Sequence, residues 1–204
     1  MPSRMIGSEP EVGLENSALI VWDMQNGIAK RAFNIAEVVP NMNRLIEAAH
    51  KSRRPVIVSQ HTGVPFEYQS KYGIYSARRR GMDPKAGTFM AEGSEEWKLL
   101  DELVVSEDDA VMKKHTPSLF VGTMVEQLLR NRGVDTIILA GVSTEAGIEG
   151  TARHAAALGF IPVVVVDAVG SFDKARHELA LQLMRSMFPL KKTEDVVRSL
   201  EKLA

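Results

Sequence analysis

The sequence predicts an α/β fold built on a parallel sheet, and two observations carry that expectation. Short β-branched runs alternate with amphipathic stretches, which is the pattern of successive βαβ units. At 204 residues and 45% hydrophobic, the chain can bury a full core, and roughly 100–200 residues is the usual size of a domain, so one domain over residues 1–204 is expected.

Ala18 to Trp22 reads as the first strand, buried, and Pro40 to Arg53 as a helix with Met42, Leu45, Ile46 and Ala49 on one face. Pro55 to Ser59 is the second strand. From about Gln60 to Gly93 the chain is rich in Gly, Pro, Tyr and charge and has no clear period. Such a long excursion marks a lid or a subunit contact. Helical spacing returns at Glu95 to Leu103, and Asp109 to Met112 reads as a third strand. Phe120, Met124 and Leu128 space a helix that Gly133 closes. Asp135 to Ala140 is a fourth strand, Gly147 to Leu158 a helix, and Pro162 to Asp167 a fifth strand. Asp173 caps a helix carrying Leu179, Leu183 and Met187, and Thr193 caps another carrying Val196, Val197 and Leu200. A short sixth strand is expected near Pro189, and the ten methionines, mostly at helical spacing, read as core.

Composition excludes several classes of function. Net charge is −1, from 25 basic and 26 acidic residues, so the field that nucleic-acid binding needs is missing. The run Arg78-Arg79-Arg80 reads as a solvated loop. No apolar stretch approaches the roughly 20 residues that span a bilayer, and the amino terminus lacks a signal pattern. A cytoplasmic protein with no membrane and no nucleic-acid partner is expected. The absence of cysteine excludes disulfides, thiolate metal sites and thiol catalysis together.

Ligands of open α/β sheets bind beyond the carboxyl ends of the strands, which directs attention to three segments. Asp23 follows ALIVW in the string DMQN. It either caps the next turn or, desolvated, serves as an acid or base near neutral pH. Lys114 follows the third strand in KHTPSLF, with Thr123 beyond; it can hold a carboxylate ionised or bind an anion, or simply decorate the surface. The turn GVSTEAGIEGTAR at 141–153 aims backbone N–H groups and a helix dipole at whatever sits above it, and its glycines do not form a dinucleotide-binding pattern.

DMQN at 23–26, K-x5-F-x2-T at 114–123, GVSTEAGIEGTARHA at 141–155 and VVVVDAVGS at 163–171 together resemble the isochorismatase-like (cysteine hydrolase) superfamily, in order and spacing, over most of the chain. The resemblance implies a three-layer αβα sandwich with a six-stranded, mainly parallel, Rossmann-like sheet. It implies a site made from an aspartate, a lysine and a cysteine that in most relatives cleaves amides of small metabolites. The aspartate falls on Asp23, the lysine on Lys114, and the nucleophile position on Gly147. The resemblance also implies a cis peptide at Val142-Ser143 that turns an N–H toward an oxyanion, and a substrate-binding lining of Gln25, Val142, Ser143, Thr144, Ala146 and Gly147. Dimers or tetramers are common among such proteins.

Glycine at 147 removes the side chain that would form an acyl-enzyme. Thr144, Ser143 and Thr151 carry hydroxyls, but no paired histidine is evident to activate them. Two readings follow. The first is a hydrolase of the isochorismatase type: Asp23, protonated, donates to an enol-ether carbon, water attacks, and Lys114 with the Gly147 backbone binds substrate. The second is an inactive small-molecule binder or structural homologue of the amidase branch. The close isochorismatases usually have a histidine in the turn where Thr144-Glu145-Ala146 stand, so isochorismate itself is not the expected substrate. No metal and no cofactor are expected, since His61 in SQHTGVPF stands alone where metal-binding relatives cluster ligands. Glu145 either faces the pocket or favours the helix terminus; His154 and His177 read as surface or capping residues; Phe66, Tyr68, Tyr72 and Trp97 read as core or interface.

Overall fold

The structure, a computed structural model, describes residues 12–204. Six strands form one parallel sheet: β1 (Ser17–Trp22), β2 (Val56–His61), β3 (Ala110–Lys114), β4 (Thr136–Val142), β5 (Ile161–Gly170) and β6 (Leu190–Lys191), in the order β3-β2-β1-β4-β5-β6. Strands one, two and four are buried along nearly their whole length because helices cover both faces, and strand two turns polar over its last three residues, Ser59 to His61.

The alternation of side chains divides the core in two. Leu19 and Val21 face α2 (Ile35–Lys51) and α7 (Thr193–Glu201), whose Met42, Leu45, Ile46, Val196 and Leu200 complete that layer. Ala18, Ile20 and Trp22 point the other way, toward α4 (Val125–Asn131), α5 (Glu149–Ala157) and α6 (Lys174–Arg185). Each fully buried aliphatic side chain contributes roughly 1.5–3 kcal/mol. Two short helices, α1 (Asn26–Ala29) and α3 (Lys71–Arg79), sit among the loops. No helix of the described residues is long and apolar enough to cross a membrane.

Several elements differ from the sequence expectation. The second helix starts at Ile35 rather than Pro40, so Pro40 lies inside it. Glu95 to Leu103 is a series of turns, not a helix; Leu100 and Leu103 are buried, and Leu99 is held by a bridge to Gln25, so their spacing reflects burial of a loop. The long excursion contains α3, which buries none of its residues and begins on a Ser70 cap that accepts from Gly73 N–H. The fourth helix begins only at Val125, although Gly133 does close it with φ +65°. On α6 the buried residues are His177, Ala180 and Met184, while Leu179, Leu183 and Met187 face outward. Asp173 caps α6 as expected, but Thr193 is the first residue of α7, and its hydroxyl donates to Asp167 instead of capping the helix. Met82, Met124 and Met187 are exposed, so not every methionine is core.

Candidate active site

Three strand ends converge at the carboxyl edge of the sheet. Asp23 directly follows β1 and has φ 45°, a left-handed conformation unusual outside glycine. Ser59 of the adjacent β2 holds it there: Asp23 N–H donates to Ser59 Oγ (3.1 Å) and the hydroxyl donates to Asp23 Oδ1 (2.7 Å). Lys114 is the last residue of β3, one strand further out. Its stem crosses β2, and Nζ reaches Asp23 Oδ2 at 2.6 Å, donates to the Thr116 carbonyl at 3.3 Å, and lies 4.2 Å from the centroid of the Trp22 ring. The aspartate and lysine singled out in the sequence therefore form one ion pair.

That pair is almost enclosed, with Asp23 5% and Lys114 2% exposed. Burial pushes the Asp23 carboxyl above its ordinary value, against the pull of the Lys114 ammonium and the hydrogen bonds from Lys114 and Ser59. Burial likewise pushes the Lys114 ammonium down, against the attraction of Asp23. Such a carboxyl is better able to hold a proton near neutrality than an exposed one.

Gln25 acts as a clamp. Its Nε2 donates to the carbonyls of Trp97 (2.7 Å) and His61 (3.1 Å), and its Oε1 accepts from His61 N–H (2.8 Å). These backbone contacts occupy the amide that the sequence suggested for substrate.

The turn after β4 opens with a cis Val142-Ser143 peptide. Val142 itself is core, Ser143 is half-buried and accepts from Ile148 N–H, and Ala146 is exposed. Thr144 is fully buried; its hydroxyl donates to the Gly170 carbonyl (2.9 Å) and so accepts from Nδ1–H of His177 (2.8 Å). The histidine partner that the sequence did not reveal therefore exists, and His177 is buried rather than on the surface. The pair is enclosed and serves to anchor the turn to β5 and α6. Glu145 accepts from Ser171 Oγ at 2.6 Å, and His154 pairs with Ser118 Oγ at 2.8 Å.

Gly147 departs from the expected open cradle. A Cβ built on it would stand 2.0 Å from Nε1, 2.3 Å from Cε2 and 2.7 Å from Cζ2 of Trp22, a ring that is 1% exposed. The indole fills the volume of a side chain at 147 and covers the backbone expected to meet substrate. Trp22 is thus a site residue that sequence reasoning missed. Its one signal was a large aromatic immediately before Asp23, in a strand otherwise made of small and aliphatic residues.

His61 closes the outer side. Burial, with the charges of Lys114, His115 and Arg80, lowers its pKa from 6.5 to about 4. A histidine with a depressed folded-state value keeps its full stability contribution above pH 6.5 and loses it as pH falls toward 4. Melting temperatures of wild type and His61→Gln measured from pH 7 to pH 4 are expected to converge as the acid is added, with the wild type falling more steeply; parallel curves would contradict this.

A family model of the isochorismatase domain matches residues 17–195. The isochorismatase family protein YwoC of Bacillus subtilis is 30% identical over 180 residues, covering 87% of this chain and 88% of YwoC. The ureidoacrylate amidohydrolase RutB of Klebsiella pneumoniae is 29% identical over 175 residues, covering 76% of this chain and 73% of RutB. Among solved structures, a cysteine hydrolase from Pseudomonas syringae pv. phaseolicola superposes with TM-score 0.81 at 22% identity, over 96% of this chain and 97% of that one. An isochorismatase family protein from Burkholderia thailandensis gives 0.76 at 27% identity, over 95% and 100%.

Proposed function

Because the chain belongs to the isochorismatase family of hydrolases, we propose that it hydrolyses a small metabolite by non-covalent acid–base catalysis, with vinyl-ether or related C–O cleavage favoured over amidase chemistry. The observation that carries this reading is the Asp23–Lys114 pair, 2.6 Å apart, beside a residue 147 that has no nucleophile. Protonated Asp23 donates its proton to the enol-ether carbon, and the oxocarbenium ion that results is attacked by water. The water's proton returns to the carboxylate, and the hemiketal collapses to a ketone and an alcohol. Lys114 fixes the carboxyl and attracts an acidic substrate; the Gly147 backbone, lying under the indole, takes no part.

The test is turnover of an enol-ether acid by wild type and Asp23→Asn. General acid catalysis contributes about 10²–10⁴-fold, and a loss of that size is expected. Since the acid must be protonated, kcat/KM should also fall as pH rises through the elevated Asp23 value. Retained activity in Asp23→Asn would end this reading.

The near-complete burial of both charges, and the indole lying over Gly147, favour a second reading: a catalytically inactive binder or structural homologue of the amidase branch, in which the pair is structural. A ligand that raises the melting temperature without being converted supports it.

We also propose self-association through α3. Tyr72 and Tyr75 on α3, and Tyr68 in the turn just before it, are 69%, 60% and 79% exposed, and a nine-residue helix that buries nothing is marginal in water. Sedimentation is expected to show an oligomer that Tyr72→Ser/Tyr75→Ser weakens. A wild-type monomer would contradict it.

A further inference from the structure

Ser59 makes two hydrogen bonds to one residue: its Oγ accepts from Asp23 N–H at 3.1 Å, and its hydroxyl donates to Asp23 Oδ1 at 2.7 Å. It stands opposite Trp22 in the register of β1 and β2 and is fully buried, so this hydroxyl is held inside the sheet. A residue other than glycine keeps a left-handed conformation where its surroundings over-determine it, and the two bonds do that for Asp23 at φ 45°.

The two oxygens of Asp23 meet different chemistry. Oδ2 faces the Lys114 ammonium at 2.6 Å, a group with donors and no acceptor, so a proton on that oxygen cannot be aimed at Nζ while the lysine is charged. Oδ1 faces a hydroxyl, which donates or accepts according to how it is turned. In the ionised carboxylate both oxygens accept, one from Lys114 and one from Ser59. In the protonated acid, Ser59 can reverse its role and Lys114 cannot. Burial raises the Asp23 carboxyl, and the Lys114 charge and the Ser59 hydroxyl oppose that rise. The charged group facing Asp23 is Lys114 from β3; His61, at the end of β2, faces the same ammonium, with His115 and Arg80 near it.

We propose that Ser59 is a positioning residue that makes Oδ1 the proton-carrying oxygen of Asp23, its hydroxyl donating to the carboxylate and accepting from the carboxylic acid. This assignment rests on the hydrolase reading of the same site. In the protonation step the Oδ1–H bond breaks, and its proton forms the new C–H bond with the electron pair of the enol-ether double bond. The Ser59 hydroxyl then swings back to donate to the oxygen left anionic, and the attacking water later returns a proton to Oδ1.

Ser59→Ala removes the hydroxyl and keeps a small side chain. Aspartate labelled with carbon-13 at Cγ lets NMR follow the Asp23 carboxyl from pH 5 to pH 9 with no substrate present, its signal being the one lost in Asp23→Asn/Lys114→Met. A carboxylate that loses a hydrogen bond holds its proton more tightly, so the Asp23 midpoint is expected to rise by about one to two pH units. Ser59→Cys, whose thiol is a weak donor, should move it the same way by less. Ser17→Ala is the control: it removes another buried hydroxyl from the sheet, one that donates to the Leu14 carbonyl at 2.8 Å, and should leave the midpoint in place. With an enol-ether acid, the pH at which kcat/KM falls should move up in Ser59→Ala with the midpoint.

A midpoint unmoved in both Ser59 variants, or moved equally by Ser17→Ala, overturns the proposal, and so does an Asp23 carboxyl that titrates in none of these proteins. A midpoint that moves as expected while no enol-ether acid is turned over sinks the hydrolase reading alone and leaves Ser59 as the residue that sets where the proton sits.

Discussion

Gly147→Cys is expected to destabilise the fold and to create no amidase. The added Cβ would lie 2.0 Å from a rigid, buried indole, not from the end of a flexible chain, so either the ring or the turn must move. Forcing extra atoms into a packed core costs about 1–3 kcal/mol and sometimes more. For a chain of this size each kcal/mol lowers the melting temperature by roughly 2–4 °C. The partner change Trp22→Val leaves a cavity, and large-to-small changes of this kind cost about 3–5 kcal/mol. Combining the two places the thiol in the volume that the ring vacates. The double variant should therefore be more stable than the sum of the single effects, with a coupling of about 0.5–3 kcal/mol. Thermal melts of the four proteins complete the cycle. Gly147→Cys as stable as wild type, or strictly additive effects, would mean that the indole does not occupy that volume.

The buried ion pair gives the second large effect. Removing one partner of such a pair leaves an uncompensated buried charge and costs about 3–5 kcal/mol. In Lys114→Met, Asp23 loses its counter-charge while burial still raises its pKa. A carboxyl raised in the folded state contributes stability that is present below its unfolded value and is lost as pH rises, so this variant should be most stable in acid and weaken toward neutrality. Asp23→Asn does the reverse: the lowered pKa of Lys114 makes the variant lose stability as pH falls from alkaline values. The double replacement Asp23→Asn/Lys114→Met should recover much of either loss, because no lone charge is left inside. Urea denaturation at pH 5, 7 and 9 reads these opposite slopes. Single variants as stable as wild type at every pH would show that the pair contributes nothing.

The strands and the ion pair were legible because their signals are local. ALIVW, PVIVS, DTIILA and PVVVVD are runs whose ends moved by at most three residues, and Asp23 and Lys114 are polar residues at the carboxyl ends of the first and third strands. Glu95 to Leu103 misled because a loop that buries Leu100 and Leu103 shows the same spacing as an amphipathic helix. The helix α3 was invisible for the opposite reason: it has no buried stripe, and Gly73 interrupts it. The contacts of Trp22 with Gly147 and of Thr144 with His177 join distant segments and depend on the register that sets Trp22 against Gly141. No pattern within either segment announces them.

The interlock between positions 22 and 147 also bears on any route to covalent chemistry on this scaffold. A thiol introduced first at 147 meets the indole, and a smaller residue introduced first at 22 opens a cavity, so each step taken alone is expected to cost stability that only the combination recovers.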